Sequence, residues 1–159
     1  MVLKKLLFGV CDVFEEMKVP YALIDGYSAV VHGAPCNNLD IGLVASPQNI
    51  NAELIEKLKG IGLEPTANHD DIEHLHSFGQ FVNKETGIVV HIFTEFRGVV
   101  PHEGVGTEVW EVDGKNIHVC NPARSVIMKA SICARTDKVK TVVLSKSNEK
   151  NPVKKILEQ

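Results

Sequence analysis

The 159-residue chain is 44% hydrophobic and 23% charged, close to globular averages and far from the polar, charged profile of disordered chains. Its length suits one domain spanning residues 1–159. A net charge of −3 and a pI near 6.2 offer no general basic field for DNA or RNA, and no apolar run approaches the roughly 20 residues that cross a bilayer.

Cys11, Cys36, Cys120 and Cys133 form no C-x-x-C pair, and the first segment lacks the long apolar run and cleavage site of a signal peptide. A reduced, cytoplasmic setting is expected. Six C-terminal lysines, Lys138, Lys140, Lys146, Lys150, Lys154 and Lys155, read as the solvated face of a terminal helix, with a local polyanion patch as the alternative.

In chain order, Leu3, Leu6, Leu7, Val10, Phe14 and Met17 recur at helical spacing and mark an amphipathic helix that Pro20 ends. Tyr21 to Asp25 (YALID) reads as a short buried strand, and YSAVVHG as a brief helix closed by Gly33. LDIGLVAS forms a second strand. Ser46 as N-cap and Pro47 at the first helical position then start a helix that turns Ile50, Leu54, Ile55 and Leu58 inward and ends at Gly60.

GQFVN and GIVVHIF flank the turn at Lys84 to Thr86 as one hairpin, and TEVWEV and NIHVC flank Asp113-Gly114 as another. Asn121-Pro122 caps a helix through about Arg135, and a last helical stretch breaks near Asn151-Pro152. This order fits an α/β (α+β) domain, a mixed sheet with flanking helices.

Polar residues crowd the stretch His69, Asp70, Asp71, Glu73, His74 and His76, which reads as a loop because its spacings match no recognised zinc pattern; a metal role is the alternative. Ser28 lacks a Gly-x-Ser-x-Gly elbow, no P-loop occurs, and the Gly104 to Gly106 triplet is too short for a dinucleotide fingerprint.

Tyr21 to Ala45, YALIDGYSAVVHGAPCNNLDIGLVA, resembles the opening motif of nucleotidyltransferases of the minimal and abortive-infection (AbiEii-like) type. In that pattern a strand ends in Gly-Gly, a short helix ends in His-Gly or a similar pair, and Arg-x-Thr precedes Asp-x-Asp on the next strand. Gly26, Tyr27, Ala29, His32, Gly33, Asp40, Ile41, Leu43 and Val44 fall in step with it. The stretch from Val112 to Lys138 is similar to the family's closing segment, with Pro122, Ile127, Lys129, Ala134, Arg135 and Lys138 at matching positions.

The resemblance implies a nucleotidyltransferase-like mixed sheet and phosphoryl chemistry on a nucleoside triphosphate with Mg²⁺ or Mn²⁺. Two metal carboxylates would come from Asp-x-Asp, because alternate strand residues share a face, and a third from a neighbouring strand. On that pattern Asp40 is the metal ligand, Asp40, His91 and Asp25 stand at the catalytic positions, and Gly26, Tyr27, Ser28, Lys129 and Arg135 at nucleotide-binding ones.

The sequence departs from the pattern at specific places. Gly42 stands where the second carboxylate belongs, His91 stands at the third, and Asp25 replaces the first Gly of the phosphate turn. Cys36 and Asn38 replace the Arg and Thr. Asp25, Asp40 and His91 could instead form an altered site for a softer ion such as Mn²⁺ or Zn²⁺.

Two functional readings are open. In one, the chain is a silent or impaired member of the fold, without a cofactor, that binds a nucleotide or a protein partner, for example within a toxin-antitoxin-like pair. In the other it remains an active enzyme that moves a nucleoside monophosphate to protein, RNA or a small molecule.

Overall fold

The computed structural model describes residues 2–33, 40–66, 78–96, 100–101 and 106–126. Helix α1 (Val2–Glu16) buries Leu6, Leu7, Val10, Cys11, Val13 and Phe14 along one stripe, as its periodicity requires. It closes on a Schellman motif: Lys18 takes the left-handed conformation (φ 55°), Lys18 N–H donates to Glu15 O at 3.0 Å, and Val19 N–H donates to Phe14 O at 2.9 Å.

Strand β1 (Tyr21–Ile24), helix α2 (Asp25–Val31), strand β2 (Asp40–Ala45) and helix α3 (Ala52–Gly60) come next, then strands β3 (Leu63–Pro65), β4 (Phe78–Asn83), β5 (Val89–Phe93), β6 (Glu95–Phe96), β7 (Val100–Pro101), β8 (Thr107–Val112) and β9 (Lys115–Cys120). A helical turn covers residues 122–126. Seven strands form one mixed sheet in the order β3-β4-β5-β2-β1-β9-β8, and β6 and β7 form a separate pair. The β1–β9 and β2–β5 pairs are parallel; the others in the sheet are antiparallel. The α/β character expected from the element order is present, as a mixed sheet with flanking helices.

Alternation along the strands separates two faces. Val119, Leu23, Leu43 and Ile92 stand side by side across β9, β1, β2 and β5, each no more than 1% exposed, and belong to one apolar cluster with α1 and with Leu54 and Leu58 of α3. Burying each such side chain contributes about 1.5–3 kcal/mol relative to exposure. One residue further along, Ile24, Gly42, His91 and Gln80 form the neighbouring row on the opposite face. Helix α2 contacts β1, β2 and β9.

Both expected hairpins form, with β4 on β5 and β8 on β9. Asp113 (φ 50°) and Gly114 (φ 76°) are both left-handed, which joins β8 to β9 by a turn whose twist matches the strands. At the β4–β5 turn the Asn83 side chain accepts from Thr86 N–H at 3.0 Å and from Thr86 Oγ1 at 2.9 Å.

Two boundaries and three short strands differ from the sequence reading. Asp25 does not end β1; it is the first residue of α2. Ser46 and Pro47 open only a single 3₁₀ turn, Pro47–Asn49, and the true cap of α3 is Asn51, whose side chain accepts from Leu54 N–H at 3.0 Å. Local sequence put a good cap and a proline five residues early, but Ile50 is held in extended backbone and buried at 4% exposed, so the helix restarts after it. Strands β3, β6 and β7, of two or three residues each, are too short to show a period.

Candidate functional site

The face carrying Asp40 and Gly42 is the place where the chemistry expected from sequence converges. Asp40 opens β2 and is exposed, and Gly42 lies two residues on, on the same face. Gly42 pairs with Ile24 of β1 on one side and with His91 of β5 on the other. His91 is half-buried and stacks on Phe93, with ring centroids 6.0 Å apart and planes 18° apart. Residues far apart in sequence thus share one strip of sheet.

Asp25 completes the strip from the end of β1. Its φ of 60° places it in the left-handed region, where glycine is at ease and where Asp is among the better-tolerated side-chain-bearing residues. That conformation directs its side chain over Gly42. A Cβ at position 42 would meet Asp25 Oδ2 at 3.4 Å, Asp25 Cβ at 3.5 Å and Ile24 Cγ1 at 3.2 Å. The two Asp25 distances are ordinary van der Waals contact, so Ile24 is the neighbour that a side chain at 42 would press.

The remaining expected site residues divide. Gly26 follows Asp25 in the first turn of α2 and is half-buried. Tyr27 lies in the main apolar cluster at 7% exposed; burial first, and the Asp40 carboxylate second, push its hydroxyl up to about 12. Ser28 is fully buried: its Oγ lies 2.9 Å from Ser125 Oγ and donates to the Cys120 carbonyl at 3.4 Å. Its hydroxyl is therefore committed inside the protein. Lys129, Arg135, Cys36, Cys133, Asn38, Lys138 and the cluster from His69 to His76 lie outside the described residues, as do the later C-terminal lysines.

Sequence reasoning missed the use made of His32. Its Nε2 donates to the Cys120 carbonyl at 3.0 Å, and its ring meets Trp110 edge-on at 5.2 Å. Together with Ser28 it ties α2 to the end of β9. The only advance signal was the i, i+4 spacing of Ser28 and His32, which puts both on one helix face.

Among the three positions that the resemblance assigns to metal carboxylates, Asp40 holds the one carboxylate. Gly42 offers no donor, His91 offers nitrogen where a hard carboxylate oxygen is wanted, and among the described residues no group of three or more His, Cys, Asp or Glu is placed to hold an ion. A separate cavity of about 350 Å³, lined by Pro20, Tyr21, Ala22, Val44, Ala45, Gly106, Thr107 and His118, sits at the opposite ends of β1 and β2. Val44 lies four positions along β2 from Asp40, on the order of 13 Å along the strand.

Elsewhere two described cysteines, Cys11 and Cys120, are buried as free thiols. Burial pushes Cys11 up to about 11 and also raises Cys120, so neither is a thiolate near neutral pH. No helix among the described residues is long and apolar enough to cross a membrane.

By sequence, no known family and no curated protein matches the chain. By structure the likeness is clear. A lincosamide antibiotic adenylyltransferase, LnuA, determined with lincomycin bound, superposes with a TM-score of 0.64 over 96% of each chain at 18% identity. An antigenic nucleotidyltransferase-like protein from Paracoccidioides brasiliensis gives 0.61 at 14% identity, covering 91% of this chain and 72% of its own. The antibiotic-resistance factor ANT(2'')-Ia gives 0.59 at 10% identity, covering 89% and 78%. At these identities the likeness establishes the fold, and the fold is that of the nucleotidyltransferases.

Proposed function

We propose that this chain is a cytoplasmic nucleotidyltransferase-fold protein, of the minimal or AbiEii-like type, that has lost metal-dependent nucleotidyl transfer and serves as a binding protein. Its ligand is a nucleotide, or a protein partner in a toxin-antitoxin-like pair. The observation that carries this reading is the state of position 42: it holds glycine and no carboxylate, and a Cβ there would stand 3.2 Å from Ile24 Cγ1. Two-metal chemistry needs ligands that act as a unit, so Asp40 alone, with His91 on the third strand, does not replace a set of three. Asp25 beside the phosphate turn also sets a negative charge where a triphosphate would approach.

The alternative is an active enzyme, favoured by one finding: LnuA, an adenylyltransferase determined with lincomycin bound, shares the fold over 96% of both chains. In that case an acceptor oxygen would bond to the α-phosphorus of a nucleoside triphosphate while the bond to the bridging oxygen breaks. Pyrophosphate would leave, and the acceptor proton would pass to a base. Asp40 would hold Mg²⁺ or Mn²⁺, with Lys129 and Arg135 on the phosphates.

The test offers the purified protein α-labelled ATP, GTP, CTP and UTP with Mg²⁺ or Mn²⁺, and itself, RNA or lincomycin as acceptor. No transferred label is expected, while calorimetry detects a nucleotide or co-purification recovers a protein partner. Label transfer that disappears in Asp40→Ala would overturn the silent reading.

A further inference from the structure

The two ends of the seven-stranded sheet are protected to different degrees. At one end β3 has three residues and finishes in Pro65, so it offers little ladder to another strand. At the other end β8 has six residues, pairs with β9 along its whole length without a bulge, and carries neither Lys nor Pro. Its outer edge has no partner strand among the described residues. Val109, near the centre of β8, is 58% exposed and is one of two large apolar residues left open in the described part of the chain.

The hairpin fixes which backbone groups of β8 face outward. Val112 and Lys115 flank a two-residue turn and exchange both backbone bonds, and Asn121 N–H donates to Gly106 O at 3.1 Å in the same phase. Even-numbered residues of β8 therefore direct their N–H and C=O groups to β9. Thr107, Val109 and Glu111 direct theirs to the open edge, and all three residues are exposed.

We propose that this edge pairs with β8 of a second copy of the chain, antiparallel about a two-fold axis at Val109, so that one sheet runs through two molecules. The sequence of β8 selects the register. In an antiparallel ladder outward-phase residues stand opposite outward-phase residues, so the axis falls on a residue and not between two. An axis at Glu108 or at Glu111 sets a carboxylate against its own copy, and an axis at Trp110 sets Val109 against the partner's Glu111. The axis at Val109 sets Val109 on the partner's Val109 and Thr107 opposite the partner's Glu111, where a hydroxyl can donate to a carboxylate. Glu108 is held on its own chain, accepting from Asn121 Nδ2 at 2.7 Å and from Trp110 Nε1 at 3.4 Å. Pairing Thr107, Val109 and Glu111 in this way forms about six backbone hydrogen bonds between the copies. The contact is small, so the dimer is weak and depends on concentration. It does not depend on whether catalysis survives.

Sedimentation equilibrium of the full chain from about 5 to about 500 µM tests the pairing, with the average mass expected to climb from 17.5 kDa towards twice that value. A mass that stays at one chain throughout overturns the proposal and leaves the edge to a different partner. Val109→Lys sets two like charges on the axis and should weaken association by about tenfold or more. Undiminished association in that variant places the contact elsewhere on the molecule and overturns the proposal as well. Val109→Cys reads the register: under mild oxidation it should give a disulfide-linked dimer beyond the wild-type background, because the two residues face each other across the axis. Thr107→Cys and Glu111→Cys should not, since each lies on the order of 13 Å along the strand from its own copy. Crosslinking at 107 or 111 as readily as at 109 overturns the register. All three substituted positions are exposed, so the variants should keep the wild-type thermal midpoint.

Discussion

Two rows of the same sheet, one residue apart, obey different rules. Val119, Leu23, Leu43 and Ile92 are sealed under α1 and α3, whereas Ile24, Gly42, His91 and Gln80 face the other way, where His91 and Gln80 remain half-exposed and Asp40 at the edge is open. The first row is constrained by close packing, in which even one methylene is felt. In the second, Ile24 packs in a smaller apolar cluster with Ala22, Val44 and Cys120 while His91 and Gln80 are half-exposed, so the packing constraint weakens along the row. A fold can therefore persist while its chemistry changes, because period-two alternation lets one strand serve both rows with separate residues. A fold likeness at 10–18% identity is compatible with that separation.

The sharpest way to break the comparison is to truncate neighbours on β5. Ile92→Ala should cost about 2–5 kcal/mol through the cavity it leaves, and His91→Ala less than about 1 kcal/mol, both read by urea unfolding. Similar losses at the two positions would mean that the second row is packed as tightly as the first.

A smaller effect comes from pH on the sealed side. Burial raises Cys11 from 9.0 to about 11, so the folded protein holds the thiol proton more tightly than the unfolded chain. Its contribution is complete below pH 9 and is lost as pH rises towards 11, approaching about 2 kcal/mol. Urea midpoints between pH 8 and 11 should fall in the wild type, and fall less steeply in Cys11→Ala. In the same vein, Cys11 and Cys120 should resist iodoacetamide at pH 8 until the protein is denatured, with peptide mass spectrometry as the readout.

The smallest change tests a helix end that touches neither row. Asn51→Ala should remove about 1 kcal/mol by leaving Leu54 N–H without its cap, whereas Ser46→Ala should be nearly silent, since no side-chain cap bond forms there. The reverse result would restore the cap at Ser46 that the sequence suggested.

Much of the architecture was legible in advance where the signal is local. The apolar stripe of α1 needs only its own residues, and the Asp113-Gly114 hairpin needs only a dipeptide that accepts positive φ. Asn51 was hidden because Ser46-Pro47 gives an equally good local signal, and only the burial of Ile50 shows which is used. At the site the sequence showed that Gly42 and His91 are not carboxylates, but it could not show that Asp25 lies beside Gly42. Nor could it show that Ser28 bonds to Ser125 and Cys120, residues more than ninety positions away.

By itself, then, the sequence determined the pieces: the helix of α1, the alternation of β2 and β5, the two tight hairpins, and the absence of a carboxylate at 42. Tertiary structure alone decided that residues 25, 42 and 91 share one strip, that Asp25 stands over Gly42, and that His32 and Ser28 fasten α2 to β9. The physical reason is range. Propensity, capping and turn conformation act within a few residues, whereas these contacts arise from pairing of β1, β2, β5 and β9 across the chain, where position along the sequence says little about position in space.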